Sequence, residues 1–295
     1  ILIYLIKTLY LIFFSFWKAN FIYSLHKKYA QKLYFNYINQ NYLFHVNSNS
    51  SNLTKNIIST QNFSQNINQI SILFTELIIL FGLTGILLLV NVKATIFIFI
   101  FTSLVSIIFL TLVGPIMSRE GKKNISNLKK LMENINSSFF AIKEIKIMNR
   151  ENFFIKKFFN SINKFSNSEK TQEFIQSIPR FILEFMSILL LVVTIFFMMI
   201  YDYDKISILT FLAIFAAAGF KLIPSINKII FALQHLKFYL PVSKIVIKDL
   251  KLKNNRSNKK IIHEEFKEYN INLINISYKY PGTKKYILKN INLKI

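Results

Sequence analysis

Two apolar stretches decide the fold of this chain: ISILFTELIILFGLTGILLLV at residues 70–90 and ATIFIFIFTSLVSIIFLTLVGPIM at residues 94–117. A helix that crosses the hydrocarbon core of a membrane needs about 20 mostly apolar residues, because each residue adds about 1.5 Å along the axis. Both stretches are long enough, and only Asn91, Val92 and Lys93 separate them. We therefore predict two membrane-spanning helices joined by a tight turn.

Three further stretches have the same apolar character. They are residues 1–25, 174–200 and 206–234, and the last two again form a pair, separated by residues 201–205. The sequence therefore predicts five membrane spans.

The composition agrees with a membrane protein and excludes an ordinary soluble enzyme. The chain of 295 residues is 53% hydrophobic, yet it carries 37 Lys and Arg against 14 Asp and Glu, for a formal net charge of +23. Such a balance fits long apolar helices joined by basic segments. There is no Cys, which excludes disulfides and cysteine metal sites, and the four histidines show no metal-ligand spacing: His26, His45, His235 and His263.

The distribution of basic residues predicts the orientation, because short loops that stay in the cytoplasm are rich in Lys and Arg. Residues 26–69 hold four of them, residues 118–173 hold twelve and residues 235–295 hold fourteen. The two tight turns hold one each, Lys93 and Lys205. We expect the three long segments to be cytoplasmic and the turns to face outward. Nucleic-acid binding explains this charge poorly, since anionic lipid headgroups are the nearer partner.

The two long loops between spans have helical patterns of their own. Apolar and aromatic residues recur at steps of three and four, which indicates helices that continue beyond the membrane: Tyr29, Leu33, Tyr37 and Ile38 in the first loop, and Ile135, Phe139, Ile142 and Ile145 in the second. The polar residues 47–52 and 149–152 are places where these helices turn or are capped. The polar stretches are equally compatible with a compositional bias towards Asn and Ser.

The composition changes near residue 250. The polar run KLKNNRSNKK at 251–260 predicts a linker, and residues 271–280 and 286–295 alternate with a period of two around the turn signal Pro281–Gly282. This pattern predicts two β-strands.

These features predict a helical membrane domain at 1–250, a linker at 251–268 and the start of a second domain at 269–295. Five spans with a cytoplasmic tail predict that residue 1 lies on the outer side, or within the first span close to that side. We therefore expect a first span to be missing and the chain to be a fragment of a protein with six spans. A complete protein with five spans is the alternative.

The segment NLINISYKYPGTKKYILKNINLKI at 272–295 resembles the opening strands of the nucleotide-binding domain of ATP-binding cassette (ABC) exporters. The resemblance implies an all-α membrane protein with the type-1 transmembrane helical bundle of these exporters, long cytoplasmic helix extensions and an α/β nucleotide-binding domain. It also implies ATP and Mg²⁺ as cofactors and a second half-transporter, an identical copy, as partner. The aromatic residue that stacks on adenine in this family corresponds to Tyr280. A strand tyrosine that packs on a β surface is the alternative reading.

The chain has no phosphate-binding loop of the GxxxxGK[ST] type, which cradles phosphates with backbone N–H groups and a lysine. The only glycine after Gly219 is Gly282, and no signature motif or Walker B carboxylate can be assigned. We expect ATP hydrolysis of the full protein that the chain resembles, and not of the chain alone.

Two spans resemble the lipid-linked oligosaccharide flippase branch of the exporters, through SIPRFILEF at 177–185 and AIFAAAGFKLIPSINKI at 213–229. The resemblance implies that Arg180 and Lys221 bind substrate, although the relatives have Arg where this chain has Lys221. An ionisable residue inside a span is costly and normally faces a partner or a wet cavity. Arg180 could instead pair with Glu184, four residues later, or extend its charge to the membrane interface.

The segments 141–158 and 41–53 resemble the intracellular loops whose short coupling helices dock into a nucleotide-binding domain. The resemblance implies coupling roles for Arg150 and Glu151 in the second loop, and for the first loop it points to Tyr42 and His45. A solvated, charged helix end is the alternative.

The sequence thus predicts an ATP-driven exporter or flippase in a bacterial inner membrane, which moves a lipid-linked or amphipathic substrate by alternating access. A multidrug or peptide exporter is the alternative. A hypothesis of another class is a membrane scaffold or channel-like bundle that transports nothing by itself.

Overall fold

The computed structural model describes residues 1–90, 92–201, 204–252, 270–279 and 285–295. In these ranges the chain forms five long helices, three short ones and two strands. The long helices are α1 (Leu2–Ile38), α4 (Thr60–Val90), α5 (Val92–Phe140), α7 (Glu151–Ile200) and α8 (Lys205–Leu250). The short helices are α2 (Tyr42–Asn47), α3 (Ser50–Ile58) and α6 (Ile142–Ile147), and the strands are β1 (Asn272–Tyr278) and β2 (Leu288–Lys294).

All five long helices are long and apolar enough to cross a membrane, which confirms that the chain forms five long apolar helices. Each helix also continues well past its apolar stretch. α5 runs on from residue 117 to Phe140, and α8 from residue 234 to Leu250. The predicted helical extensions are therefore confirmed. All extensions lie at the same end of the bundle, because each tight turn joins its two helices at the other end.

The predicted polar stretch 47–52 caps α3 through Asn49, and a cap that was not predicted, Asn41, starts α2. The side chain of Asn41 accepts a hydrogen bond from the Phe44 amide at the start of α2, and Asn49 accepts one from Ser51 at the start of α3. In the second loop the helical pattern is interrupted at Ala141, which separates α5 from α6.

α8 is the central helix of the bundle and packs against α1, α4, α5 and α7. Buried apolar clusters lie along its length. The cluster nearest the tight turns contains Ile98, Leu190, Phe211, Ile214, Phe215 and Leu222. The cluster among the extensions contains Leu33, Tyr37, Val242 and Val246. Because each cluster takes side chains from two or more helices, the bundle holds together from one end to the other.

The two strands belong to a separate compact unit, since the chain divides into Ile1–Asn255 and Arg256–Ile295. β1 and β2 pair antiparallel, with Leu273 opposite Leu293 and Ile276 opposite Ile291.

The pairing is irregular around Asn275 and Asn290, whose φ angles are both 52°. Asn tolerates this left-handed conformation better than most residues. Side-chain oxygens there accept hydrogen bonds from backbone N–H groups that would otherwise pair with the opposite strand. The backbone N–H of Asn275 donates to Asn292 Oδ1 at 2.6 Å, and the backbone N–H of Asn290 donates to Ser277 Oγ at 3.0 Å. The predicted strands are confirmed as a two-stranded antiparallel sheet, with bulges that the period-two pattern did not indicate.

Candidate functional site

A buried carboxylate lies inside the membrane-spanning part of the bundle. Glu76 is on α4, and its side chain is 8% exposed. Its Oε2 accepts a hydrogen bond from Ser225 Oγ at 2.6 Å, and its Oε1 is 2.7 Å from the Lys228 ammonium. Ser225 and Lys228 are both on α8, so this group of three side chains ties α4 to α8 with a hydroxyl and an ion pair.

A third helix contributes a second cation. Lys18, on the face of α1 that also carries the buried Ile22, interacts electrostatically with the Glu76 carboxylate. Glu76, Ser225, Lys228 and Lys18 therefore form a junction of three helices, which we call the Glu76 junction. No sequence motif indicates this junction, although one signal is present: Glu76 is the only charged residue in the apolar stretch 70–90.

Lys221, a predicted substrate-binding residue, lies on the exposed side of α8. Lys228 follows it seven residues later, which is two helical turns and therefore the same face. The two ammonium groups thus lie along one stripe of α8, at two depths in the predicted span.

Arg180, the other predicted substrate-binding residue, pairs with Glu184. Arg180 Nε is 2.9 Å from Glu184 Oε1, and the Arg180 side chain remains 68% exposed. This is the pair of residues four apart that the sequence left open as an alternative. Within the part of the chain that the structure describes, no hydrogen bond or ion pair joins Arg180 to Lys221.

The predicted coupling residues lie at the far ends of the helical extensions. Tyr42 is the first residue of α2 and is exposed, and the ring of His45 packs edge-on against Phe44. Arg150 precedes α7 and Glu151 begins it. Both predicted loops thus carry a short helix, α2 or α6, between two longer ones.

The loop around α6 is stabilised by one ion pair and has an apolar groove beside it. Lys146 Nζ is 3.0 Å from Glu151 Oε1, across the turn that Asn149 makes with a φ of 49°. The groove has a volume of about 470 Å³ and lies between the end of α5, α6 and the start of α7. Its walls include Ile135, Phe139, Ile142, Phe154, Phe158 and Phe159.

A polar cluster joins three helices near the end of α8. The Asp249 carboxylate accepts hydrogen bonds from the Tyr37 hydroxyl and from Asn56 Nδ2, the latter at 2.8 Å. Asn36 Nδ2 lies 3.4 Å from the carbonyl oxygens of Asp249 and Leu250. These contacts join α1, α3 and α8, and we call them the Asp249 cluster. No local pattern predicted it, because its contacts with Asp249 and Leu250 join residues that are 193 to 214 positions apart in the chain.

The predicted nucleotide and Mg²⁺ ligands have no assigned site among the described residues. Tyr280, the predicted adenine-stacking residue, lies outside the described residues, as do the predicted turn Pro281–Gly282 and most of the predicted linker. Among the described residues there is no group of three or more His, Asp or Glu side chains that could hold a metal ion.

The comparison with protein families agrees with this architecture. A family model described as the ABC transporter transmembrane region matches residues 1–222, a range that covers four of the five long helices and the first part of α8, including Lys221. Together with the five membrane-spanning helices, this match makes the chain an integral membrane protein with several spans. The chain belongs to the family of ABC transporter transmembrane regions.

Proposed function

We propose that this protein is an ATP-driven exporter of the flippase type, which moves an anionic lipid-linked or amphipathic substrate across a bacterial inner membrane by alternating access. It works with ATP and Mg²⁺, and two identical copies form the transporter. The helical extensions and the residues after α8 face the cytoplasm, where the excess of Lys and Arg in these segments is expected.

The observation that carries the choice of substrate is the exposed cation Lys221 in the middle of a predicted span. It lies 13 residues from the end of the stretch 206–234, which is about 20 Å along a helix. An ammonium group at that depth is costly unless it faces water or an anion. A phosphate-containing headgroup that passes between the helices supplies such an anion.

The helical extensions connect the spans to the nucleotide-binding domains that bind ATP. The tips at α2 and α6 are exposed, and the apolar groove beside α6 offers a nucleotide-binding domain an apolar contact. Closure of two such domains on ATP would move the tips as rigid bodies and turn the spans from one side of the membrane to the other.

The proposed substrate role is tested with Lys221→Ala in proteoliposomes that contain the protein with a complete nucleotide-binding domain. The measurement is the number of pyrophosphate-linked lipids flipped per ATP hydrolysed. We expect this ratio to fall roughly tenfold, as for the loss of one charge-assisted hydrogen bond. The control is Lys205→Ala, which removes a lysine from the tight turn and should leave the ratio unchanged. An unchanged ratio in Lys221→Ala would reject the role of this residue.

Arg180 requires a different design, because it already has a partner. A double-mutant cycle with Arg180→Gln, Glu184→Gln and the double variant separates the two roles. If Arg180 only pairs with Glu184, the double variant recovers the flipping that Arg180→Gln loses. If Arg180 binds the headgroup, flipping stays low in the double variant.

A further inference from the structure

The members of the Glu76 junction differ in exposure. The carboxylate is almost completely buried, whereas the side chain of its partner Lys228 is 59% exposed. Lys18 completes the junction from α1 and is partly exposed. The two ammonium groups are therefore more accessible to a ligand than the carboxylate is.

The charges of the junction do not cancel. Glu76 pairs with the Lys228 ammonium group and also attracts that of Lys18 electrostatically, so the three side chains together have a net charge of +1. A charge that is not compensated inside a membrane span is costly. The Ser225 hydroxyl donates a hydrogen bond to the carboxylate. It does not change the charge balance, because it is neutral. The junction therefore has an electrostatic requirement for one more anion.

The three charged residues lie in one layer of the membrane. Lys18 is seven residues from residue 25, Glu76 is six from residue 70, and Lys228 is six from residue 234, where the respective apolar stretches meet their helical extensions. Six or seven residues correspond to about 10 Å of helix. The long lysine side chains shorten this distance to the headgroup region, because their ammonium groups can extend towards it.

Next to Lys18, α1 presents a row of stacked aromatic rings. Ring centroids are 6.2 Å apart for Tyr10 and Phe14, 6.0 Å for Phe14 and Trp17, and 5.8 Å for Trp17 and Phe21. Most of these rings are exposed. An apolar row beside a cation suits an amphipathic molecule, which places its chain on the rings and its charge on the ammonium group.

We propose that the Glu76 junction binds the phosphate group of an anionic lipid, and that Glu76 is the resident counter-ion which this phosphate displaces from Lys228. The ligand is a phosphodiester headgroup whose acyl chain lies along the aromatic row of α1. Glu76 then limits the affinity of the site, because it competes with the phosphate for the same ammonium group. This site is separate from Lys221 and Arg180 and does not depend on transport.

The chain contains its own reporter for the test. Trp17 is the only tryptophan, and it precedes Lys18. The chain is reconstituted in phosphatidylcholine nanodiscs with a fixed fraction of phosphatidylglycerol, and the acyl chains of one or the other lipid carry bromine, which quenches tryptophan fluorescence. The ratio of the two quenching efficiencies measures the preference for the anionic lipid near Trp17.

We expect the wild-type chain to prefer phosphatidylglycerol roughly fivefold, the contribution of about one lysine near an anionic headgroup. Lys18→Gln and Lys228→Gln should each reduce the preference towards one. Glu76→Gln should raise it several-fold, since the competing charge is lost while the amide oxygen can still accept a hydrogen bond from Lys228 and the amide NH2 group can donate one to the Ser225 hydroxyl. The opposite signs of these effects distinguish the proposal from a simple loss of folding.

The matched control is Lys7→Gln, which removes the other lysine of the apolar part of α1. Lys7 lies over the ring of Tyr4 at 5.7 Å, eleven residues before Lys18, and its loss should leave the preference unchanged. If the preference is absent in the wild type, or if Glu76→Gln lowers it, the proposal is wrong. If millimolar inorganic phosphate abolishes the preference, the ligand is soluble phosphate and the assignment to a lipid is wrong.

Discussion

Gly121 of α5 and Phe238 of α8 meet backbone to backbone. A Cβ atom at residue 121 would lie 2.0 Å from the carbonyl oxygen of Phe238 and 2.8 Å from its carbonyl carbon. Neither atom belongs to a side chain that could move aside. Glycine is therefore required at this position by the close approach of two helices, just past the apolar stretch 94–117.

Gly121→Ala should lower the free energy of unfolding by about 1–3 kcal/mol, because the methyl group forces the two helices apart. Thermal unfolding in detergent measures this as a lower melting temperature. Gly82→Ala is the matched control, since nothing lies within 4 Å of its Cβ position. There the usual helix preference for Ala should leave stability equal or higher. Equal melting temperatures for the two variants would contradict the close approach.

The Asp249 cluster should contribute to the free energy of unfolding. Tyr37→Phe removes the hydroxyl that donates to Asp249 and should cost about 1–3 kcal/mol, because the carboxylate loses one of its buried partners. Tyr34→Phe, on the same helix, is the control, since Tyr34 is 60% exposed. Chemical unfolding in mixed micelles gives both values. A loss in Tyr37→Phe no larger than in Tyr34→Phe would show that the cluster adds nothing to stability.

Two residues of the tip beside α6 allow a role in docking to be distinguished from a role in folding. Phe140 is 96% exposed and Ile145 is 4% exposed. If the tip docks into a nucleotide-binding domain, Phe140→Ala should leave the melting temperature unchanged but reduce the substrate-stimulated ATPase activity of the complete transporter several-fold. Ile145→Ala should instead lower the melting temperature, as expected for a buried residue shortened to Ala. Normal stimulation in Phe140→Ala would contradict docking through this side chain.

Much of the fold could be predicted because the signals are local. Each span is a continuous apolar stretch, and the two loops between spans have apolar residues at steps of three and four, so neighbouring residues suffice to identify them. The capping of α3 by Asn49, in the predicted polar stretch 47–52, was equally local. The bulges in β1 and β2 were not predicted, since they depend on two asparagines that adopt a left-handed backbone conformation and on side chains from the opposite strand.

The candidate site could be predicted only in part. Arg180 and Lys221 stand out because they are charges in apolar stretches. Glu76 stands out in the same way, but its role depends on Ser225 and Lys228, about 150 residues later. The pairing of Arg180 with Glu184 was visible as an alternative because residues four apart face the same side of a helix.

The sequence by itself determined that this chain is a membrane bundle of five long helices followed by a two-stranded sheet, since hydrophobic length and periodicity are properties of consecutive residues. Only the tertiary structure decided which polar groups meet. Glu76 with Lys228, Tyr37 with Asp249, and Gly121 with Phe238 each come from different helices. Their contact depends on how the helices rotate and shift against one another, and packing between helices sets that rotation, which no stretch of sequence specifies alone.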